Sequence, residues 1–189
     1  MTIYGGRQLA DAFRGVRANT ITIADEIPED KYGFRPAADL RTVAEQLAHV
    51  ACATAWQIEV HGGRVGHIDF AMYGASVARA ASEEQTLRSK DAIIAALRER
   101  GEQFATFLEG VSDELLAGTV TFPPPVKPFE RSRFEMLLAT KEHEMHHRAQ
   151  LMIYERLLGI TPHLTRRRMA NAAAAAATRE GSTAASARS

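Results

Sequence analysis

The sequence predicts an all-α protein built mainly as a four-helix bundle. Apolar residues recur at spacings of three and four in four separate stretches, and clusters of proline and glycine punctuate the chain between them. Strand-like alternation is confined to the short run from Val120 to Phe122, and no repeat of solenoid period is present. Long amphipathic helices joined by loops must bury their apolar stripes against one another, and a bundle is the architecture that does so. A chain of 189 residues suits one core, since domains usually run to about 100 to 200 residues.

Each element follows from local chemistry. Leu9, Phe13, Val16, Thr20, Ile23 and Ile27 fall on one stripe of a first helix, which Pro28 closes. Glu29 to Leu40 is rich in turn residues and includes Arg35-Pro36, where the proline biases its predecessor away from helical angles, so it reads as a connection. Thr42-Val43-Ala44-Glu45 has the spacing of a capping box and opens a second helix running to about Val60. With Gly62-Gly63 and Gly66 following, residues 61–86 read as a long loop holding one short helix at Tyr73 to Ala81.

Ile93, Leu97, Phe104, Leu108 and Val111 mark a third helix, capped by Ser89 and ending near Gly110. The proline run from Pro123 to Pro128 is a stiff connection rather than a ligand for an aromatic groove. A second capping-box spacing, Ser132 to Glu135, opens a fourth helix over Arg133 to Leu158, with Gly159 and Pro162 as stop signals. The bundle domain is thus expected over residues 1–164. Residues 165–189 carry Arg166-Arg167-Arg168, six consecutive alanines and a Ser, Thr and Ala-rich end; with little large to bury, they are expected to form a basic, flexible tail.

Composition narrows the function. Acidic and basic residues balance at 23 each, so no field of one sign exists to attract a nucleic acid backbone or an anionic membrane, and neither partner is expected. The lone cysteine, Cys52, allows no intramolecular disulfide. The first twenty residues lack the continuous apolar core of a signal peptide, and no stretch reaches the roughly 18 apolar residues of a membrane span. A cytoplasmic protein is expected.

The histidines carry the chemistry. Three crowd together in His143-Glu144-Met145-His146-His147. Residues four apart share a helix face with Cβ atoms about 5 to 6 Å apart, so His143 and His147 can hold one metal ion, whereas His146 is turned about 100° from His147. His49, two turns into the second helix, is the best-placed third ligand. Three neutral histidines leave coordination positions open to water or substrate, the pattern of a catalytic site. His61, His67 and His163 lie in or beside loops and are expected to be solvated. Cys52 is either a further ligand or a small buried hydrophobe, and Trp56 and Met145 are expected in the core.

Thr42-Val43-Ala44-Glu45-Gln46-Leu47-Ala48-His49 resembles the capped second helix of the DinB and YfiT-like superfamily, and Glu142-His143-Glu144-Met145-His146-His147-Arg148-Ala149-Gln150-Leu151 resembles its fourth-helix motif, His-x-x-x-His followed by a small residue and glutamine. The two occur in the family's order, and the resemblance covers about residues 5 to 160. It implies a four-helix bundle with a divalent metal ion (zinc, nickel or iron) on His49, His143 and His147. It also implies a small-molecule substrate, in some relatives a low-molecular-weight thiol activated for transfer or isomerisation, and a homodimer formed through helix faces.

Other readings compete. His143 to His147 also satisfies H-E-x-x-H, the zinc protease signature, with Glu144 as general base. The extended form of that signature wants glycine at Gln150 and histidine at Ile153, and no sheet edge is expected to bind a peptide. Glu144 is otherwise a base beside the metal, a partner of a ligand, or a surface glutamate. Gln150 and Tyr154 either line the pocket or bond between helices. Two further readings keep the bundle without catalysis: a metal-binding or stress-associated protein, and a structural bundle without metal.

Overall fold

The computed structural model describes residues 4–186. Four elements form the bundle: α1 (Gly6–Glu26), the pair α2 (Val43–Cys52) and α3 (Ala55–Gly62), α5 (Lys90–Glu109) and α7 (Arg133–Leu157). Between them lie α4 (Phe70–Glu84), a short α6 (Asp113–Ala117) and a hairpin of β1 (Thr119–Thr121) and β2 (Glu130–Ser132). The strands are antiparallel, with Val120 opposite Arg131. A last helix, α8 (His163–Ser186), follows.

The predicted stripe of α1 is buried throughout, Leu9, Phe13, Val16, Thr20, Ile23 and Ile27 all facing inward. Its lower half packs Phe13 edge-on against Phe104 of α5, ring centroids 4.9 Å apart, together with Leu108 and Leu137. Its upper half joins Val43, Leu47, Leu97, Leu151 and Tyr154. A third cluster, Val60, Ile68, Val120 and Met136, seats the hairpin and the start of α4 against α3 and α7, with Trp56 packed on it. The Thr42 capping box forms in full, Thr42 N–H donating to Glu45 Oε2 at 2.7 Å and Glu45 N–H to Thr42 Oγ1 at 3.1 Å. Ser89 and Ser132 cap α5 and α7, and Gly159 takes the left-handed conformation (φ 80°) that ends α7.

Four elements differ from expectation. The second helix is broken after Cys52, because the Val50 carbonyl, whose helical partner would be the Thr54 N–H, instead accepts from the guanidinium of Arg17 at 3.3 Å. The short helix expected at Tyr73 to Ala81 within the 61–86 loop is longer, α4 running from Phe70 to Glu84 and capped by Asp69, whose carboxylate accepts from Met72 N–H at 2.7 Å. Residues 165–189 were expected to form a basic, flexible tail; α8 is helical to Ser186, as alanine's high helix propensity favours, and 187–189 lie outside the described residues. Its side chains are exposed from Arg166 to Thr178, and it meets α1 through His163 with Asn19 and Arg166 with Glu26. Met145 is 40 % exposed rather than core, in line with Ile153 and Leu157 on the outer face of α7. Among the described residues, no helix is long and apolar enough to cross a membrane.

Glu155, near the end of α7, is fully buried with neither carboxylate oxygen hydrogen-bonded. Burial, and next the nearby Glu26 carboxylate, push its pKa up to about 7. A raised carboxyl pKa means that the folded state holds the proton longer, so its stability contribution is full below the ordinary carboxylate range and is lost as pH rises through about 7. Glu155→Gln is therefore expected to match wild type near pH 5 and to exceed it at pH 8, by on the order of 3 kcal/mol at most. His61, His143 and His147, with pKa values lowered to about 4, act in the opposite sense, gaining stability up to about pH 6.5. Urea denaturation of both proteins at the two pH values isolates the Glu155 contribution as their difference.

Candidate metal centre

The site forms where α2 and α7 face each other. His49 lies near the end of α2, and His143 and His147 lie one turn apart on α7, so the i, i+4 spacing and the packing of the two helices suffice to bring the rings together. One ligating atom from each lies within 4.8 Å of the others. His143 Nε2 is the hub, 3.3 Å from His49 Nε2 and 3.0 Å from His147 Nε2. Metal–imidazole bonds of about 2.0–2.1 Å in a tetrahedral shell put ligand nitrogens about 3.4 Å apart; both distances from His143 lie within a few tenths of an ångström of this, and the remaining separation, within 4.8 Å, closes by rotation of the His49 and His147 rings.

The outer nitrogens set the ring orientations. His49 Nδ1–H donates to Glu84 Oε1 at 2.8 Å, which turns its Nε2 lone pair into the cluster. His147 Nδ1 lies 3.0 Å from Gln150 Oε1, which accepts only from an Nδ1–H, and 2.6 Å from the Gln46 amide nitrogen, which donates only to a bare Nδ1. A metal ion on His147 Nε2 requires the first arrangement, with Gln46 donating to Gln150 Oε1. Burial first, and then the neighbouring imidazoles, hold the pKa of His143 and His147 down to about 4, so both are neutral at pH 7, the form in which imidazole ligates a metal. His147 is buried behind the other two, and His143 is more open.

His49 and His143 form part of the wall of a pocket of about 490 Å³ between α3, α4 and α7. Trp56, Tyr73, Val77, Ala80 and Ala139 give it apolar sides, and Arg131 of β2 reaches it from the hairpin. Cys52 borders the same space, but burial pushes its thiol up to about 11, and it accepts from Arg100 Nη1 at 3.1 Å. It is not among the clustered donors, in keeping with the small-hydrophobe reading.

Glu144 is neither on the surface nor turned to the triad. It is 2 % exposed, and both its oxygens are held by Arg17 of α1 at 2.9–3.0 Å. The same guanidinium donates to the Leu97 carbonyl of α5 at 2.7 Å and to the Val50 carbonyl of α2, so one side chain ties together all four bundle elements. Gly101 of α5 makes room for it: a Cβ there would meet Arg17 Cγ at 2.8 Å. Gln150 bonds to Gln46 of α2, and Tyr154 donates to the Arg41 carbonyl, in the connection just before α2, at 3.1 Å.

His146 is exposed and accepts from the Gln150 amide at 3.1 Å. His61, expected to be solvated, is fully buried in α3; its Nδ1 accepts from Arg133 at 3.2 Å and its Nε2 donates to Gln57 at 3.1 Å. His67 is exposed beside Thr121, and His163 is half-buried. Sequence reasoning missed Glu84, Arg17 and Arg131. Arg17 carried a signal, a charge on the apolar stripe of α1; Glu84 carried none once its helix was read as ending at Ala81.

Glu84→Gln, which can keep an oxygen facing His49 but loses the charge, is expected to weaken divalent metal binding about 10–100-fold. Competition titration against a chromogenic chelator measures this, and an unchanged melting temperature of the metal-free variant separates it from misfolding.

The DinB superfamily profile matches residues 12–151. No curated protein matches the chain. Among solved structures, a DinB-like protein from Bacillus subtilis, YjoA, is 21 % identical with a TM-score of 0.60, the match covering 82 % of this chain and 93 % of that one. YfiT, also from Bacillus subtilis and described as a probable metal-dependent hydrolase with an unusual four-helix bundle topology, is 12 % identical with a TM-score of 0.65, covering 85 % and 91 %. At these identities the likeness speaks for the fold. Together with the profile, which spans most of the chain and both histidine motifs, it establishes that this protein belongs to the DinB superfamily.

Proposed function

We propose that the protein is a metal-dependent enzyme acting on a small molecule, with His49, His143 and His147 holding a divalent zinc, nickel or iron ion. The observation that carries this reading is the convergence of three imidazole nitrogens within 4.8 Å of one another beside a 490 Å³ pocket. A divalent ion in such a site supplies Lewis acidity and lowers the pKa of a water or thiol on its open side, so that a nucleophile is present at neutral pH. Glu84, Gln46 and Gln150 orient the rings. Trp56, Tyr73 and Val77 exclude water from the substrate's apolar part.

In this reading Glu144 is a positioning residue: Arg17 occupies both its oxygens, leaving it no free lone pair directed at the pocket side of α7. An H-E-x-x-H protease therefore lacks its general base, and the favoured reactions are hydrolysis, in keeping with the description of the YfiT structure, and transfer of a low-molecular-weight thiol.

The test is turnover of a panel of small esters and electrophilic aryl halides by protein reconstituted with each ion, with and without a low-molecular-weight thiol. Turnover lost with chelator and in His143→Ala is the expected result, and its dependence on the thiol distinguishes transfer from hydrolysis. Full metal occupancy with no metal-dependent turnover of any substrate would favour a non-catalytic metal-binding protein.

A further inference from the structure

We propose that Arg131 forms a carboxylate-binding subsite across the pocket from the histidines, so that the molecule taken there is an elongated organic carboxylate with an apolar body. The proposal names a substrate class for the proposed enzyme and rests on that reading only for what happens at the metal end.

The first observation is an unsatisfied cation. Arg131 Nε is buried without a hydrogen bond, and among the described residues the Arg131 side chain makes no hydrogen bond or ion pair. It rests near the Phe122 ring, 5.9 Å from guanidinium carbon to ring centroid. The residue as a whole is half-buried, and it is the Nε–H donor that is shut off from water without a partner, a cost of about 1–3 kcal/mol that a bound acceptor removes.

The second observation is the charge balance of the pocket. Glu59 is paired with Arg79, and Glu83 with Arg100 at 2.6 Å. With those carboxylates neutralised, the guanidinium of Arg131 is the uncompensated charge on this pocket's wall, and it favours an anion; Asp69, which shares an adjoining cavity with Arg131 and Phe122, caps α4 and makes no ion pair with Arg131 among the described residues. Its planar fork matches the two oxygens of a carboxylate.

The third is the layout. Arg131 immediately precedes Ser132, the cap of α7, and His143 lies 11 residues further on, about 16 Å along the helix axis. Trp56, Tyr73, Val77 and Ala139 contribute apolar wall to the pocket that both residues line. Less the reach of the two side chains, that axial rise is the span a ligand engaging both ends has to bridge, with an apolar middle, the acid at the Arg131 end and the reacting group at the histidines.

The experiment compares 4-phenylbutyrate with its neutral isostere 4-phenylbutanamide by calorimetry, using full-length protein loaded with zinc and the same protein after chelator treatment, with folding followed by circular dichroism. The acid is expected to bind at least about ten-fold more tightly than the amide in both states. Arg131→Gln should abolish that preference while metal content and melting temperature stay at wild-type values, and Arg131→Glu should shift the preference to 4-phenylbutylamine.

Equal binding of acid and amide, no binding of the acid at millimolar concentration, or a preference that survives in folded Arg131→Gln overturns the proposal. A preference that needs zinc and ignores Arg131 would place the acid on the metal, leaving the metal reading intact. An Arg131-dependent preference in protein that takes up no metal would instead remove the metal reading and keep this subsite.

Discussion

Glu144→Ala is expected to destabilise the fold by about 3–5 kcal/mol, a large share of the roughly 5–15 kcal/mol that stabilises an ordinary domain. The reason is what it leaves behind. Arg17 is 4 % exposed, and without Glu144 its guanidinium keeps only the carbonyls of Leu97 and Val50, so an uncompensated charge stays buried at the centre of the bundle. The pair itself contributes less than this figure, because burying two ions offsets much of their attraction. Removing both charges with Arg17→Met and Glu144→Leu is accordingly expected to cost less than Glu144→Ala alone. Urea denaturation of the two single variants and the double variant closes the cycle. A loss below 1 kcal/mol in Glu144→Ala would show that Arg17 finds other partners and does not organise the bundle.

The second large effect is the loss of metal in His143→Ala. His143 Nε2 is the one nitrogen within 3.3 Å of both other ligands, so its removal leaves two imidazoles on different helices with no shared neighbour. Occupancy at stoichiometric metal is expected to fall below detection, a larger effect than the 10–100-fold expected for an outer partner such as Glu84. The ring is half-exposed and outside the three apolar clusters, so the metal-free variant should melt near the wild-type temperature and lose only the increment that metal adds. His146→Ala, which removes an exposed ring that meets His147 edge-on and whose hydrogen bond among the described residues is to Gln150, is the control and should keep its metal.

The sequence carried the bundle because its signals are local. The α1 stripe repeats with the helical period, and Thr42, Ser89 and Ser132 cap where their side chains reach the next turn. The triad was legible for the same reason: two ligands are four residues apart, and the third lies at a countable distance from a cap. What could not be read depends on residues distant in sequence. The break after Cys52 comes from Arg17, a helix away. His61 is buried because Arg133, 72 residues later, gives it a donor.

Helix α4 was expected only as a short helix at Tyr73 to Ala81, and its full extent was missed because its face toward the bundle is narrow: Ser76 is its one buried residue, so no apolar stripe marks its ends, although Asp69 was present as a cap. With its last turn went Glu84, and with it the carboxylate that orients His49. Glu144 was open to misreading because H-E-x-x-H assigns it a role on the metal side, whereas the rotation of one residue along α7 turns it to Arg17.

The central claim is that the three histidines bind one divalent ion, and the most direct test is elemental analysis of untagged protein reconstituted with zinc, nickel or iron(II) and then desalted, with the melting temperature measured before and after. The account predicts close to one equivalent of metal per chain and a higher melting temperature in the loaded protein, as a ligand selective for the folded state requires. No bound metal and an unchanged melting temperature with every ion would contradict it, leaving the bundle with an unexplained histidine cluster.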